Sequence, residues 1–333
     1  MTTHRVDIGE PSQIGETRRL AAALASGLGF DATAIGRVSI VATELATNIL
    51  RYGGGGEVLL DRFEIASAAF VQIIALDRGP GMADVEKCMA DGYSTSVSSG
   101  TGLGAVMRLS SFFDIHSQVG RGTAVLSLVG DGRGQTPKGI DAEVGGVAVA
   151  LAGEVMCGDA WAVAEGPHRT TILLADGLGH GPGAAQAARE AIGIFLDRSD
   201  DEPSDIATAI HRGIRSTRGA AIGVLALDLE RSTADYCGIG NVDSSLSGAA
   251  RKRMVCEPGT AGASARRIRT YSYPFENYGL AVLNTDGIST QWSLEPYRGL
   301  AQCHPTLVSA VLYRDFARGT DDASVVVARL DPR

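Results

Sequence analysis

Apolar positions recur at helical spacing in two early stretches and as short continuous runs through most of the remaining chain. Residues 12–28 place Leu20, Ala21, Leu24 and Leu28 on one face, which predicts a helix. Asp31 is a fitting N-cap for a second helix reaching about Arg51, with Ile35, Val38, Val41, Ala42, Leu45 and Ile49 as its buried stripe. Residues 58–63, 70–76, 112–119 and 123–129 read as strands, and 105–109 as a helical run. A Gly/Pro/polar break follows, and 131–139 reads as a flexible linker between domains at 1–130 and 140–333. Beyond it, strand-like runs recur at 146–152, 160–164, 170–175, 221–229, 234–239, 280–284 and 324–330. Helical segments at 183–198 and 204–215 stand together between the third and fourth of these. Strands, then paired helices, then more strands predict a sheet sandwich covered by helices rather than a parallel βαβ sheet.

Composition narrows the functional classes. A length of 333 residues suits about two domains, and 44% hydrophobic with 20% charged residues is a globular balance. The net charge of −8 leaves neither half with the basic field of a nucleic-acid binder. Five dispersed cysteines without metal-ligand spacing read as free thiols in a reducing compartment. No apolar run reaches the ~18 residues of a membrane span and no signal pattern opens the chain, so the expected location is cytoplasmic.

The first concentration of candidate chemistry spans 75–104. The run 70–76 delivers Asp77 to a strand end. Gly79 and Gly81 then let the backbone pass close to a bound group. Gly100, Gly102 and Gly104 open a helical run, and free amides at a helix start suit a phosphate chain. An acceptor Asp, paired glycines, a loop and a second glycine cluster therefore read as a base pocket followed by a phosphate cradle. Glu44 and Asn48, four apart on the second helix, share one face at the edge of its buried stripe, which taken alone reads equally as a solvated face.

Together with Asp91-Gly92-Tyr93-Ser94-Thr95 and Gly120-Arg121-Gly122-Thr123, these motifs resemble the Bergerat-type ATPase domain of histidine kinases, anti-sigma-factor kinases and RsbT-type switch kinases. The resemblance implies that Asp77 bonds the adenine amino group, with Gly79 and Gly81 beside it. It implies that Gly100, Thr101, Gly102, Leu103 and Gly104 line the triphosphate, and that Thr123 contacts phosphate or adenine. Glu44-Leu45-Ala46-Thr47-Asn48 corresponds to the family's N-box, so Asn48 would coordinate Mg²⁺ and Glu44 would polarise an attacking hydroxyl or water. The segment 96–101 is less glycine-rich than the lid of switch kinases.

The second half carries acidic residues at the ends of its runs: Asp159, Asp176-Gly177, Asp286-Gly287 and Asp321-Asp322. Any single Asp-Gly is more often a turn than a site. Four such groups with few basic neighbours would repel one another if gathered without cations, and hard oxygen ligands suit Mg²⁺ or Mn²⁺. These residues resemble the PP2C-like serine/threonine phosphatases, in particular the bacterial SpoIIE and RsbX branch, over roughly 143–331. The resemblance implies a binuclear site with Asp176 bridging, the Gly177 carbonyl contributing, and Asp159, Asp286 and Asp321 completing it. Asp322 would hold a water. Leu178 stands where many relatives have a leaving-group acid, and His180 either substitutes for it or is structural. Residues 238–242 read as core and turn. The Arg251-Lys252-Arg253 cluster reads as a solvated face or as a dock for an acidic partner.

The fold class expected is therefore α/β (α+β), a Bergerat-type ATPase α/β sandwich followed by a PP2C-like α/β/β/α sandwich. The resemblance implies a bifunctional regulator of bacterial partner-switching stress signalling, using ATP, Mg²⁺ and Mn²⁺. Its kinase-like and phosphatase domains would act on a STAS-type anti-sigma antagonist or a stressosome-like phosphoprotein. The alternative is a phosphatase whose first domain is a non-catalytic, nucleotide-gated binding module.

Overall fold

The computed structural model describes residues 3–65, 68–89, 102–132, 144–166, 169–248, 250–275 and 278–330. The chain divides into two compact units, Thr3–Ala142 with Leu294–Val311, and Glu143–Ser293 with Leu312–Arg333. No described helix is long and apolar enough to cross a membrane.

The first unit opens with strand β1 (His4–Ile8) and helix α1 (Pro11–Gly27). Gln13 reaches back to accept the Glu10 amide at 2.9 Å, and Pro11 at the first helical position needs no amide partner. Helix α2 (Ala32–Asn48) starts where Asp31 accepts the Ala34 amide at 2.8 Å, a cap worth about 1 kcal/mol. The helix expected to reach Arg51 leaves α geometry at Asn48. It continues as a π turn, Ile49–Gly53, that ends on Gly54 in the left-handed region at φ 68°.

Strands β2 (Gly56–Ile65) and β3 (Ala68–Asp77), helices α3 (Val85–Met89) and α4 (Gly102–Leu109), and strands β4 (Phe112–Ser117) and β5 (Thr123–Gly130) complete it. The sheet is antiparallel throughout, in the order β1-β2-β3-β5-β4. Val58 and Leu60, Val71, Ile73 and Ala75, and Val125 and Val129 alternate onto one face. They form a single core with Val38, Val41, Ala42 and Leu45 of α2. Burying each such side chain stabilises the unit by roughly 1.5–3 kcal/mol.

The second unit stacks two sheets. One is built from β7 (Asp159–Glu165), β8 (Thr170–Gly177), β9 (Ala220–Asp228), β10 (Thr233–Ile239) and β13 (Cys256–Glu257), with β16 (Tyr271–Pro274) also paired to β10. The other runs β12 (Arg251–Arg253), β11 (Asp243–Gly248), β17 (Tyr278–Asn284), β18 (Ala323–Arg329) and β6 (Val144–Val149). A short β14–β15 pair (Gly259–Thr260, Ser264–Ala265) stands apart. Ile172, Leu174, Leu225, Tyr236, Leu283 and Val326 fill the space between the sheets. Leu173, Ile222 and Val224 point the other way, onto helices α5 (Pro182–Asp197) and α6 (Pro203–Gly213). Both faces of β8 and β9 are thus buried, which is why they read as continuous apolar runs. Helix α7 (Pro305–Phe316) precedes β18. The mixed α+β class expected is observed.

Candidate active sites

The first site forms where β3 ends beside the π turn. Asp77 Oδ1 accepts the Gly79 amide at 2.8 Å and the Thr123 amide at 3.2 Å. Asp77, Gly79 and Thr123 are thus brought together across 46 residues. The Thr123 hydroxyl meets that of Ser117 at 2.9 Å, and Ser117 Oγ also accepts the Met82 amide at 2.8 Å. The glycines serve the protein's own backbone here. A side chain at Gly79 would meet Gly53 Cα and Tyr52 O, each at 2.8 Å, and one at Gly81, with φ at +69°, would meet the Gln118 carbonyl.

The helix-borne pair faces the second glycine box. A side chain at Gly102 would lie 3.3 Å from Glu44 Oε2 and 3.6 Å from Asn48 Oδ1. Half-buried Glu44 and Asn48 therefore both point at the start of α4, and the solvated-face reading is replaced by this one. Leu103 and Gly104 follow in the first turn, with Gly104 buried. Gly100, Thr101 and the Asp91–Thr95 motif lie outside the described residues.

The second site is built on register. Strands β7 and β8 pair antiparallel with Asp159 opposite Asp176, and Asp176 in turn faces Ala221 of β9. Gly177 closes β8 against the first turn of α5, where a side chain would run into the Ala184 carbonyl, and its amide donates to Gly158 O at 3.1 Å. Thr285 donates its hydroxyl to Asp159 Oδ2 at 2.9 Å, and Asn241 donates its amide to Asp286 Oδ2 at 2.6 Å. Residues 238–242, read as core and turn only, therefore supply a side chain that orients a candidate ligand. Asp321 Oδ1 accepts the Asp322 amide at 2.9 Å. Asp322, expected to hold a water, is also bonded to the protein's own backbone. Its two oxygens take the Leu151 amide at 2.7 Å and the Gly158 amide at 2.8 Å, fastening the loop before Asp159 to the start of β18.

Acidic charge outweighs basic charge in this cluster. Burial, then Asp159, Asp286, Asp321 and Asp322, pushes the Asp176 carboxyl up to about 9. Burial pushes Asp159 up to about 7, with the Thr285 bond opposing and Asp322 and Asp321 adding to the rise. Burial and then Asp321 raise Asp286, against the pull of Arg318 and Asn241. Burial also raises Asp322, against its two amide bonds. Oxygen donors repelling one another in this way match a hard divalent cation. Among the described residues no three Asp, Glu, His or Cys side chains stand at the spacing of one ion's ligands.

His180 is held through Nδ1 by Glu154 Oε1 at 2.6 Å, a partner invisible in the sequence because it lies 26 residues upstream without a motif. When protonated, its charge opposes the rise at Asp322. Arg251 is removed from any docking face. Its guanidinium donates to Asp243, Ser245 and Thr290 and lies 3.7 Å over the Trp292 ring.

Comparison with known proteins matches each half separately. Residues 9–127 match the histidine kinase-like ATPase domain, and residues 166–331 match the stage II sporulation protein E family. The serine/threonine-protein kinase RsbT of Bacillus subtilis (strain 168) is 37% identical over 111 residues, covering 33% of this chain and 84% of RsbT. Among solved structures, one described with the bacterial stressosome superposes with a TM-score of 0.52 at 27% identity. It covers 56% of this chain and 98% of its own. RsbX in complex with magnesium superposes at a TM-score of 0.50 and 18% identity, covering 56% of this chain and 94% of RsbX, which speaks to fold alone.

Proposed function

Because this chain belongs to the RsbT family of kinases with a histidine kinase-like ATPase domain, and carries a SpoIIE-type PP2C domain behind it, we propose that it is a bifunctional regulator of a bacterial partner-switching pathway. In this reading the first domain binds Mg-ATP and phosphorylates a Ser or Thr on a STAS-type phosphoprotein. The second removes that phosphate with Mn²⁺ or Mg²⁺. The observation that carries the phosphatase half is the facing of Asp159 and Asp176, with Asp286 and Asp321 adding charge to the same cluster.

In the kinase half, Asp77 would accept the adenine amino group beside Gly79, Gly81 and Thr123. Asn48 would hold Mg²⁺, and Gly100, Thr101, Gly102, Leu103 and Gly104 would cradle the phosphates. Glu44, already aimed at that glycine box, would take the proton of the attacking hydroxyl. In the phosphatase half, Asp176, Asp159, Asp286, Asp321 and the Gly177 carbonyl would hold the cations. Bound there, the cations would neutralise the phosphoryl oxygens and activate water. Thr285 and Asn241 hold two of these carboxylates in orientation, and Asp322 anchors the loop that leads into Asp159. His180, steadied by Glu154, would serve as the leaving-group acid.

The test is to incubate the purified protein with Mg-ATP and each STAS protein encoded in the same genome, following the substrate by intact mass with Mn²⁺ present or absent. Gain of 80 Da with ATP, and its loss with Mn²⁺, is the expected result. No mass change on any STAS protein in either direction would overturn the proposal.

A further inference from the structure

Arg218 stands beside the turn that follows Asp176 and Gly177. It lies two residues before Ala220, the β9 partner of Gly177, and the amide of Leu178 donates to Gly219 O at 3.0 Å. From that position its side chain runs across the 179–183 turn. A side chain at Gly183 would lie 2.6 Å from Arg218 Nε and 2.8 Å from Cζ, and one at Gly179 would lie 3.5 Å from Nη1. Two bare positions in the loop after Asp176 thus make the bed for one guanidinium. Nη1 also lies 3.5 Å from the His180 carbonyl.

The charge of this group is unanswered. Among the described residues no carboxylate lies within ion-pair distance of Arg218, which is equally true of Arg212, Arg215 and Arg318. Alongside Arg218, the 16-residue helix α5 starts at Gly181 with no side-chain cap, and the Glu154 carboxylate that holds His180 lies beside that start, 3.2 Å from where a side chain at Gly181 would be. A fixed guanidinium presents parallel N–H donors matched to two oxygens of a phosphoryl group.

Resting on the phosphatase reading above, we infer that Arg218 is a substrate-binding residue of the second domain, gripping the phosphoryl oxygens of the phosphoserine or phosphothreonine. It holds the phosphate from the protein side while the carboxylate cluster works from the other. The grip is made to the phosphoryl group itself, so it is felt by any phosphomonoester.

The test uses the full chain with saturating Mn²⁺ and p-nitrophenyl phosphate. Arg218→Ala should raise KM about tenfold, as loss of a charged hydrogen bond implies, with a much smaller change in kcat. Calorimetric binding of inorganic phosphate to the Mn²⁺-loaded protein should weaken by a similar factor, while Mn²⁺ affinity stays unchanged. Arg218→Lys should recover part of both. If Arg218→Ala melts below the wild type, Arg218→Gln, which keeps the stem on Gly183, carries the comparison. Unchanged KM and phosphate affinity in a folded variant would overturn the assignment of Arg218 alone. A wild type that neither hydrolyses the ester nor binds phosphate would overturn the phosphatase reading beneath it.

Discussion

Asp159 and Asp176 face each other across the β7–β8 pair, and the charge of Asp159 makes Asp176 harder to ionise. Burial is the larger cause at both, and it carries them to about 7 and about 9 from an ordinary value of 3.8. A carboxyl that holds its proton more tightly in the folded chain takes up protons on folding. Stability is then lost as pH rises from 3.8 through these values, and the loss is complete only above about 9. In EDTA the melting temperature of the second domain should therefore fall between pH 6 and pH 9. Mn²⁺ should raise it more at pH 8.5 than at pH 6, because the ion displaces those protons. A melting temperature in EDTA that does not fall over that range would contradict the picture.

The same pair gives a mutational prediction. Asp176→Asn removes one member of the repelling set, so the metal-free protein should become more stable at pH 8. It should also lose nearly all Mn²⁺-dependent hydrolysis of a phosphoprotein while nucleotide binding by the first domain is untouched. Parallel melting curves and phosphate-release assays would check both halves of the statement.

Asp322 should behave as an anchor rather than as a ligand. Asp322→Ala strands the buried amide of Gly158 and leaves the half-buried amide of Leu151 to water, and an unsatisfied buried group costs about 1–3 kcal/mol. Urea unfolding should show a loss in that range, and Asp322→Asn, which keeps one acceptor, a smaller one. An Asp322→Ala protein as stable as the wild type would place the loop's anchorage elsewhere.

At the other site, Asp77 already accepts two amides on one oxygen. Asp77→Asn keeps the shape but removes the charge, so ATP affinity measured by calorimetry should drop about ten- to a hundredfold. Binding equal to wild type would mean that the adenine does not rest on this carboxylate.

Glu44 and Asn48 separate transfer from binding. Glu44→Ala should leave the ATP dissociation constant within about twofold and abolish phosphate transfer, since its proposed part is in moving a proton. Asn48→Ala should weaken binding only when Mg²⁺ is present. Transfer that survives Glu44→Ala would assign the proton to another group. If the wild type binds ATP but transfers to no partner, the first domain is the nucleotide-gated binding module.

Much of this protein is decided locally and can be read along the chain. The stripe on α2, the Asp31 cap, the apolar runs of β3, β8, β9 and β18, and Asp77 and Asp176 at or beside strand ends all rest on neighbours a few residues away. Elements without that local signal were not legible. Strand β1 alternates exposed Arg5 and Asp7 with buried Val6 and Ile8, but over only five residues, and α7 is buried on nearly every side and so lacks the one-sided pattern that marks a helix. Partnerships between side chains were decided by tertiary structure alone. Register puts Asp159 opposite Asp176, the turn after β10 brings Asn241 to Asp286, and the loop before β7 brings Glu154 to His180. Packing takes Arg251 from the surface onto Trp292 and lays Arg218, with no carboxylate at ion-pair distance among the described residues, against the turn after Asp176. The physical reason is common to all of these. A residue type states which bonds a side chain can make, but which one it makes depends on groups brought near it from distant parts of the chain.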